Sequence, residues 1–208
     1  HCGMPSIFLR LQGCNLTCGG ANTIKTQSPD DNAEWRCDTI EVWLKGKALS
    51  FNEIINQWKK HGWLELLKQN THLVITGGEP FLQMKRLESF LEYLYKTESF
   101  LPYIECETNG TIKPTQKIDS QINQYNVSLK LKNSGMKKID YFKKQAIHYF
   151  CKTDKSIFKF VVSGEKDINE LVSTYQKPFD IDNNKIMLMP AADNKKTLAK
   201  LEPSVIEW

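Results

Sequence analysis

Six short apolar stretches recur along the chain, separated by polar or amphipathic segments. Most are continuous runs rather than clean alternations, which is typical of strands covered on both faces in an α/β protein. The pattern predicts strands at 6–11, 72–76, 103–108, 127–131, 157–162 and 185–189.

The segments between these runs carry apolar residues at helical spacing. Asn/Ser/Asp signals and a Ser-x-x-Glu capping box mark several helix starts. The predicted helices begin at Ser50–Glu53, cover 82–95 and 137–150, begin again at Asp167, and fill 194–208 as far as Pro203 allows.

Strands that alternate with helices predict a mainly parallel open sheet with right-handed crossovers. Six units are too few for an eight-stranded barrel, so the expected fold is α/β, a partial (β/α)6 barrel in a single domain over 1–208. Ligands of such folds bind at the carboxyl ends of the strands. Functional residues are therefore expected where the strands end.

Composition and charge exclude several function classes. The net charge is +4, but only three of the 28 basic residues are Arg. Scattered lysines indicate a solvated surface, so no nucleic-acid partner is expected. No apolar run approaches the ~18 residues of a membrane span, and no signal peptide opens the chain. The sequence thus predicts a cytoplasmic protein without a membrane partner.

Three of the six cysteines, Cys14, Cys18 and Cys37, form what we call the cysteine triad. In a chain without a secretory signal, such a group favours metal binding or catalysis over disulfides. Three thiolates on a four-iron cluster leave one iron open to another ligand. A Cys₃His zinc site is the alternative, although no histidine has finger-like spacing. Cys106 and Cys151, in apolar surroundings, are predicted to be buried inert thiols.

Polar motifs follow the predicted strands. In Gly77-Gly78-Glu79-Pro80, two glycines would let a ligand approach the backbone, and the glutamate could accept hydrogen bonds from an ammonium group. An ordinary strand-to-helix turn is the alternative, as it is for the Asn-Gly turn that ends the third strand. Arg10 and Lys130 lie in predicted strands, where a buried charge needs a ligand anion or a salt bridge.

The order and spacing of these motifs carry a resemblance. The motifs are Gly13–Cys18 in sequence, Cys37-Asp38-Thr39, Thr76–Pro80, Glu107–Thr111 and Met189-Pro190. Together they resemble the radical S-adenosylmethionine superfamily and, within it, the 7-carboxy-7-deazaguanine synthase family. The resemblance runs from Gly3 to about Pro190 and is most specific over 6–18 and at Cys37-Asp38-Thr39.

The resemblance implies a role for each matching residue. The cysteine triad would hold a [4Fe–4S] cluster whose open iron binds the amino and carboxylate groups of S-adenosylmethionine. Arg10 and Thr76 would contact the substrate, and Thr39 would be a Mg²⁺ ligand. The residues implied to contact S-adenosylmethionine are Arg36, Asp38, Gly78, Glu79, Ser128, Lys130, Met189 and Pro190.

The implied reaction is a radical lyase step. A 5′-deoxyadenosyl radical would abstract hydrogen from C6 of 6-carboxy-5,6,7,8-tetrahydropterin, and ring contraction with loss of ammonia would give 7-carboxy-7-deazaguanine. The implied partners are the pterin, an electron donor such as flavodoxin or ferredoxin, and a second copy in a homodimer. A glycyl-radical-enzyme activase, another small radical S-adenosylmethionine enzyme and a non-enzymatic zinc module remain as alternatives.

The chain departs from the family pattern at several places. A polar insertion, 19–36, lies between the second and third cysteines of the triad, where the superfamily commonly has two residues; we predict a loop that returns Cys37 to the cluster. Ser128-Leu129-Lys130 replaces a Ser-Pro-Lys sequence. The family's N-terminal Gly-Glu-Gly segment and its C-terminal segment are expected to be missing from 1–208, with the substrate residues they carry.

Overall fold

The computed structural model describes residues 3–207. Within them, six strands form one sheet in the order β1-β2-β3-β4-β5-β6. β1 pairs with β2, β2 with β3, and β5 with β6, each in parallel, which confirms the predicted α/β class and open, mainly parallel sheet. The strands are β1 Ser6–Leu11, β2 His72–Gly77, β3 Ile104–Thr108, β4 Gln124–Ser128, β5 Ser156–Val162 and β6 Ile186–Pro190.

Helices fill the connections between these strands. None of them, within 3–207, is long and apolar enough to cross a bilayer. The helices are α1 Thr23–Thr26, α2 Ile40–Leu44, α3 Phe51–Lys60, α4 Trp63–Lys68, α5 Met84–Glu98, α6 Gln116–Asp119, α7 Lys138–Tyr141, α8 Lys144–Lys152, α9 Glu165–Leu171, α10 Lys177–Phe179 and α11 Lys195–Glu207.

The chain divides into two compact units, each assembled from separate stretches. The first unit holds the chain up to Asn15, Glu41–Thr108 and Pro114–Tyr125. The second unit holds Leu16–Ile40, Asn109–Lys113 and the chain from Asn126 onward. The single domain over 1–208 stays a prediction.

In the first unit, β1 separates a face that packs on helices from an exposed face by simple alternation. Leu9 lines a groove with Phe51 of α3 and Phe90 of α5, whose rings lie 5.6 Å apart. Phe8 and Arg10, on alternate positions of the strand, are exposed. The apolar face thus packs on helices and leaves the Arg10 face open.

The predicted capping box at the start of α3 is confirmed. The Glu53 N–H donates to Ser50 Oγ over 3.3 Å, and the Ser50 N–H donates to Glu53 Oε2 over 2.7 Å. Two of the donors that a helix start leaves unpaired are satisfied in this way. The box fixes where α3 begins and hence how Phe51 reaches β1.

In the second unit, β5 places alternate aromatic side chains in the core. Phe158 and Phe160 are fully buried, and the Phe160 ring lies 5.5 Å from that of Tyr175. Phe142 packs on Tyr175 as well, with ring centroids 5.6 Å apart. This cluster anchors the edge of the unit that carries β5 and β6.

The fourth strand is displaced from its predicted position. It covers Gln124–Ser128 rather than 127–131. The Leu129 N–H donates to the Val127 carbonyl over 3.1 Å, so the chain turns where the apolar pattern continues. Leu129 and Leu131 are buried as loop residues, which is why their alternation resembled a strand.

Several helix bounds also differ from prediction. The helix expected over 82–95 starts as a 3₁₀ turn, Pro80–Gln83, and continues as α5 to Glu98. The segment 137–150 forms two helices, α7 and α8, because Phe142 leaves helical geometry. The start expected at Asp167 lies at Glu165 instead.

The last helix, α11, passes through Pro203 instead of being limited by it. Proline removes the N–H that would bond to Ala199 four residues earlier, but both residues are exposed, so solvent can hydrate that carbonyl. Trp208, the end of the predicted helix, lies outside the described residues.

Candidate active site

The glycine turn after β2 packs against the chain that follows β1, all within the first unit. A Cβ added to Gly77 would lie 2.0 Å from the Leu11 carbonyl oxygen, and one added to Gly78 would lie 2.1 Å from that of Gly13 and 2.6 Å from the Cβ of Cys14. The sequence interpretation, that these glycines let a ligand approach the backbone, stays a prediction. They admit the protein's own backbone, and the turn fixes Cys14.

Glu79 is a fully buried carboxylate held by short hydrogen bonds. Thr108 Oγ1, at the end of β3, lies 2.9 and 3.0 Å from its two oxygens, and the Phe81 N–H donates to Oε1 over 3.1 Å. The Glu79 N–H in turn donates to the Gly13 carbonyl over 2.9 Å. This arrangement gives the carboxylate one orientation, with Thr108 as a partner that the sequence analysis did not assign.

Arg10 and Thr76 are Cα partners in the β1–β2 register. Arg10 is exposed, and its guanidinium carbon lies 5.4 Å from the centre of the Phe8 ring. The expectation of a buried charge in need of a partner is thus wrong. The exposed guanidinium is free to turn toward an anion, since a cation–π contact at an exposed site is worth only about 0.5–1 kcal/mol.

In the second unit, a backbone hydrogen bond joins the other two cysteines of the triad. The Cys37 N–H donates to the Cys18 carbonyl over 3.1 Å, so the insertion between them closes on itself. Cys18 is buried and Cys37 half-buried, and neither forms a disulfide. The Thr39 hydroxyl lies 3.3 Å from the Cys37 sulfur.

The residues that flank Cys37 differ in exposure. Arg36 is half-buried, and its Nε–H donates to the Thr23 carbonyl over 3.3 Å. Asp38 is exposed. Arg36 therefore ties the cysteine segment to α1, whereas the Asp38 carboxylate faces solvent.

Ser128, the last residue of β4, and Lys130, just beyond it, form a polar pair. Lys130 Nζ donates to Ser128 Oγ over 2.8 Å and lies 5.6 Å from the centre of the Trp35 ring. The Tyr175 hydroxyl donates to the Lys130 carbonyl over 2.6 Å, and burial raises the pKa of Tyr175. Both the backbone and the side chain of Lys130 are thus fixed without a salt bridge.

Met189 and Pro190 end β6, where they are the Cα partners of Val161 and Val162. Met189 is 37% exposed, and the Ala191 N–H donates to the Val162 carbonyl over 2.8 Å. The strand end is held by backbone, which leaves the Met189 side chain accessible.

The prediction of buried thiols at Cys106 and Cys151 is confirmed for Cys106, whereas Cys151 is half-buried. Cys106 is fully buried, and burial together with the nearby Glu79 and Glu107 carboxylates raises its pKa well above the usual value. Burial raises the pKa of Cys151 to about 11, although it is only half-buried. Because metal ligands are thiolates, these residues are poor donors.

Within residues 3–207, no three His, Cys, Asp or Glu side chains are grouped closely enough to hold a metal ion. Support for an iron–sulfur site comes instead from donor chemistry. The triad supplies cysteine thiols that are not in disulfides, the ligands that Fe–S clusters take, and the Gly78 turn fixes the first of them.

A match to a protein-family model confirms that the chain carries an iron–sulfur cluster domain. Residues 3–146, which contain the whole cysteine triad, match the 4Fe-4S single cluster domain. The fold and site therefore define an iron–sulfur protein built on a parallel α/β sheet.

Relatives narrow the class further. The 7-carboxy-7-deazaguanine synthase of Pyrobaculum aerophilum is 31% identical over 192 residues, which cover 92% of this chain and 73% of the relative. The synthases of Hyperthermus butylicus and of Buchnera aphidicola are 29% and 27% identical, over 96% and 95% of this chain and 74% and 81% of their own lengths. The chain belongs to the 7-carboxy-7-deazaguanine synthase family.

Proposed function

We propose that the chain is a radical S-adenosylmethionine lyase that converts 6-carboxy-5,6,7,8-tetrahydropterin to 7-carboxy-7-deazaguanine, with loss of ammonia. Family membership over nine-tenths of the chain carries the proposal. The 4Fe-4S domain match favours an iron–sulfur enzyme over the zinc module, and the relatives' names favour the synthase over a glycyl-radical activase.

The cysteine triad would hold the cluster, because its thiols are not in disulfides and because the Gly78 turn and the Cys37–Cys18 backbone bond fix their chain segments. Three thiolates leave one iron open for the amino and carboxylate groups of S-adenosylmethionine. When bound, the reduced cluster and this cofactor supply the one-electron chemistry, and the protein supplies position and shelter from water.

Glu79 is the residue best suited to hold the methionyl ammonium group. Its carboxylate is buried, and Thr108 and the Phe81 N–H have already set its orientation, so binding needs little reorganisation. A buried carboxylate pairs more strongly with an ammonium group than an exposed one does, because the local dielectric constant is lower.

The remaining cofactor contacts would come from residues of the Cys37 segment and of the strand ends in the second unit. Lys130 and Ser128 present polar groups on a fixed backbone, and Met189 presents an accessible side chain at the end of β6. The proposed cofactor contacts there are Arg36, Asp38, Ser128, Lys130, Met189 and Pro190.

On the substrate side, the exposed Arg10 guanidinium would bind the pterin carboxylate, with Thr76 beside it in register. Thr39 would offer its hydroxyl oxygen to Mg²⁺, a cation that prefers oxygen ligands. The proposal also includes an electron donor such as flavodoxin or ferredoxin, a homodimer and a location in the reducing cytoplasm. Cysteines that form no disulfide suit that compartment.

Anaerobic reconstitution followed by product identification tests the function. Wild-type protein with dithionite, S-adenosylmethionine and 6-carboxytetrahydropterin should yield 7-carboxy-7-deazaguanine by mass spectrometry, whereas Cys37→Ala should yield none. A brown, iron-loaded protein that cleaves the cofactor but leaves the pterin intact would refute the proposed substrate. A protein that takes up zinc and no iron would refute the proposed enzyme class.

A further inference from the structure

The polar insertion 19–36 is anchored to the loop after β4, within the second unit. The Gly19 N–H donates to the Ser134 carbonyl over 2.9 Å, and Ala33 forms an antiparallel bridge with Ser134. The Glu34 N–H donates to the Asn133 carbonyl over 2.8 Å. Both ends of the insertion therefore meet the buried Ser134, and the returning end also meets the buried Asn133.

Gly135 permits this close approach. Its φ of +71° lies in the left-handed region, and an added Cβ would lie 2.6 Å from the Cβ of Ala33. Only glycine combines that backbone conformation with that separation. The loop after β4 is thus shaped to receive the returning end of the insertion.

The side chain of Asn133 makes three hydrogen bonds in this anchor. Its Oδ1 accepts from Trp35 Nε1–H over 3.0 Å, and its Nδ2 donates to the Val161 carbonyl over 2.8 Å and to Asp167 Oδ2 over 2.9 Å. Asn133 is 4% exposed, so water does not compete for these bonds.

Asp167 in turn is fixed at the end of β5. The same Oδ2 accepts from the Ser163 N–H and from Ser163 Oγ, each over 2.7 Å, and Asp167 is 2% exposed. A continuous chain of hydrogen bonds therefore runs from Ser163 through Asp167 and Asn133 to Trp35. Trp35 stands two residues before Cys37 in the sequence.

We infer that Asn133 is a positioning residue, which holds the returning end of the insertion so that the Cys37 thiol faces its place as a cluster ligand. The inference rests on the proposed function, which makes Cys37 such a ligand. An 18-residue polar segment between two ligands costs more closure entropy than the two residues that the family pattern needs. The buried contacts of Asn133 offset that cost at the point where the chain returns.

Peptide-resolved alkylation of the full-length apo-protein tests the positioning directly. Trp35→Phe removes one donor and keeps a ring beside Lys130, and Asn133→Ala removes all three side-chain hydrogen bonds of Asn133. Losing one hydrogen bond shifts a local opening equilibrium by about fivefold. Cys37 should therefore be alkylated about five times faster in Trp35→Phe than in the wild type, and faster still in Asn133→Ala.

Two controls separate positioning from general loosening. The alkylation rate of Cys151 should stay constant in every variant, and Lys25→Ala, an exposed change within the insertion, should leave the Cys37 rate unchanged. If Asn133→Ala does not fold, Trp35→Phe alone decides. Equal Cys37 rates in Trp35→Phe and the wild type, or an equal rise at Cys151, would overturn the inference.

A second measurement, chelator-driven iron release from the reconstituted protein, connects the thiol to the cluster. Release should also be about fivefold faster in Trp35→Phe, for the same loss of one hydrogen bond. A wild-type protein that never loads iron would refute the proposed function, even where Cys37 alkylation follows the expected pattern. Normal iron release with normal alkylation in both variants would refute the positioning role alone.

Discussion

Gly78→Ala tests how tightly the turn after β2 holds Cys14. The new methyl group would lie 2.1 Å from the Gly13 carbonyl oxygen and 2.6 Å from the Cys14 Cβ. Favourable carbon contacts lie at about 3.5–4.0 Å, so the two segments must separate by about 1 Å or more. The Gly13 peptide resists this movement, because its N–H donates to the Trp43 carbonyl over 3.1 Å and its carbonyl accepts from Glu79.

The expected cost lies at the upper end of the range for overpacking, about 3 kcal/mol. With a urea m-value of about 1–3 kcal/mol/M, the unfolding midpoint should fall by about 1–3 M. Because Cys14 moves with Gly13, iron content after anaerobic reconstitution should fall as well. Urea unfolding followed by circular dichroism, and iron per chain, are the two measurements.

Gly164→Ala is the matched control. Gly164 has an extended φ of −174°, and an added Cβ there would meet nothing within 4 Å. Its free energy of unfolding should stay within about 0.5 kcal/mol of the wild type. If Gly78→Ala matches Gly164→Ala in stability and in iron content, the close packing of the turn on Cys14 is refuted.

Further substitutions test individual site residues. The Cys106→Ala and Cys151→Ala proteins should each retain iron after reconstitution, whereas alanine at any position of the cysteine triad should abolish iron loading. If iron loading depends on Cys106, the assignment of the triad as cluster ligands is refuted. Arg10→Ala should weaken pterin binding ten- to a hundredfold, from a contact worth roughly 1.5–3 kcal/mol, and leave S-adenosylmethionine affinity unchanged in calorimetry. Equal losses for both ligands would make Arg10 structural. Thr39→Ala should keep iron and cofactor cleavage but lose the stimulation of turnover by Mg²⁺, and superimposable Mg²⁺ titrations of the two proteins would remove Thr39 from the metal site.

Sequence reasoning located the strands wherever an apolar run coincides with a buried strand. β1 and β2 start at the residues predicted, and β2 is buried over nearly its whole length. The bounds of β4 were mispredicted because the polar residues Gln124 and Asn126 lie in the strand, while the apolar Leu129 lies in the turn beyond it. Burial in a turn and burial in a strand leave the same alternation in a sequence.

In the candidate site, too, residues of local motifs could be predicted from the sequence, whereas contacts between residues far apart in the chain could not. The cysteine triad and Glu79 were identified from local motifs, since spacing along the chain is visible in a sequence. Thr108 contacts Glu79 across 29 residues and Asn133 contacts Trp35 across 98, and a single sequence carries no signal for such pairs. The sequence did not predict the exposure of Arg10, because the residues before and after it are apolar and do not show which face of the strand is exposed.

The anchoring of the insertion has a consequence for the biosynthesis of the protein. Trp35 and its partner Asn133 lie 98 residues apart, and Asp167, which accepts a hydrogen bond from Asn133, lies a further 34 residues along the chain. At translation rates of about 5–20 residues per second, the cysteines leave the ribosome many seconds before the loop that fixes Cys37 exists. During that interval the thiols of the triad are open to oxidation and to adventitious metals. Cluster insertion is therefore expected to follow synthesis of β5 and α9, and growth conditions that slow translation should lower the iron content of the purified protein.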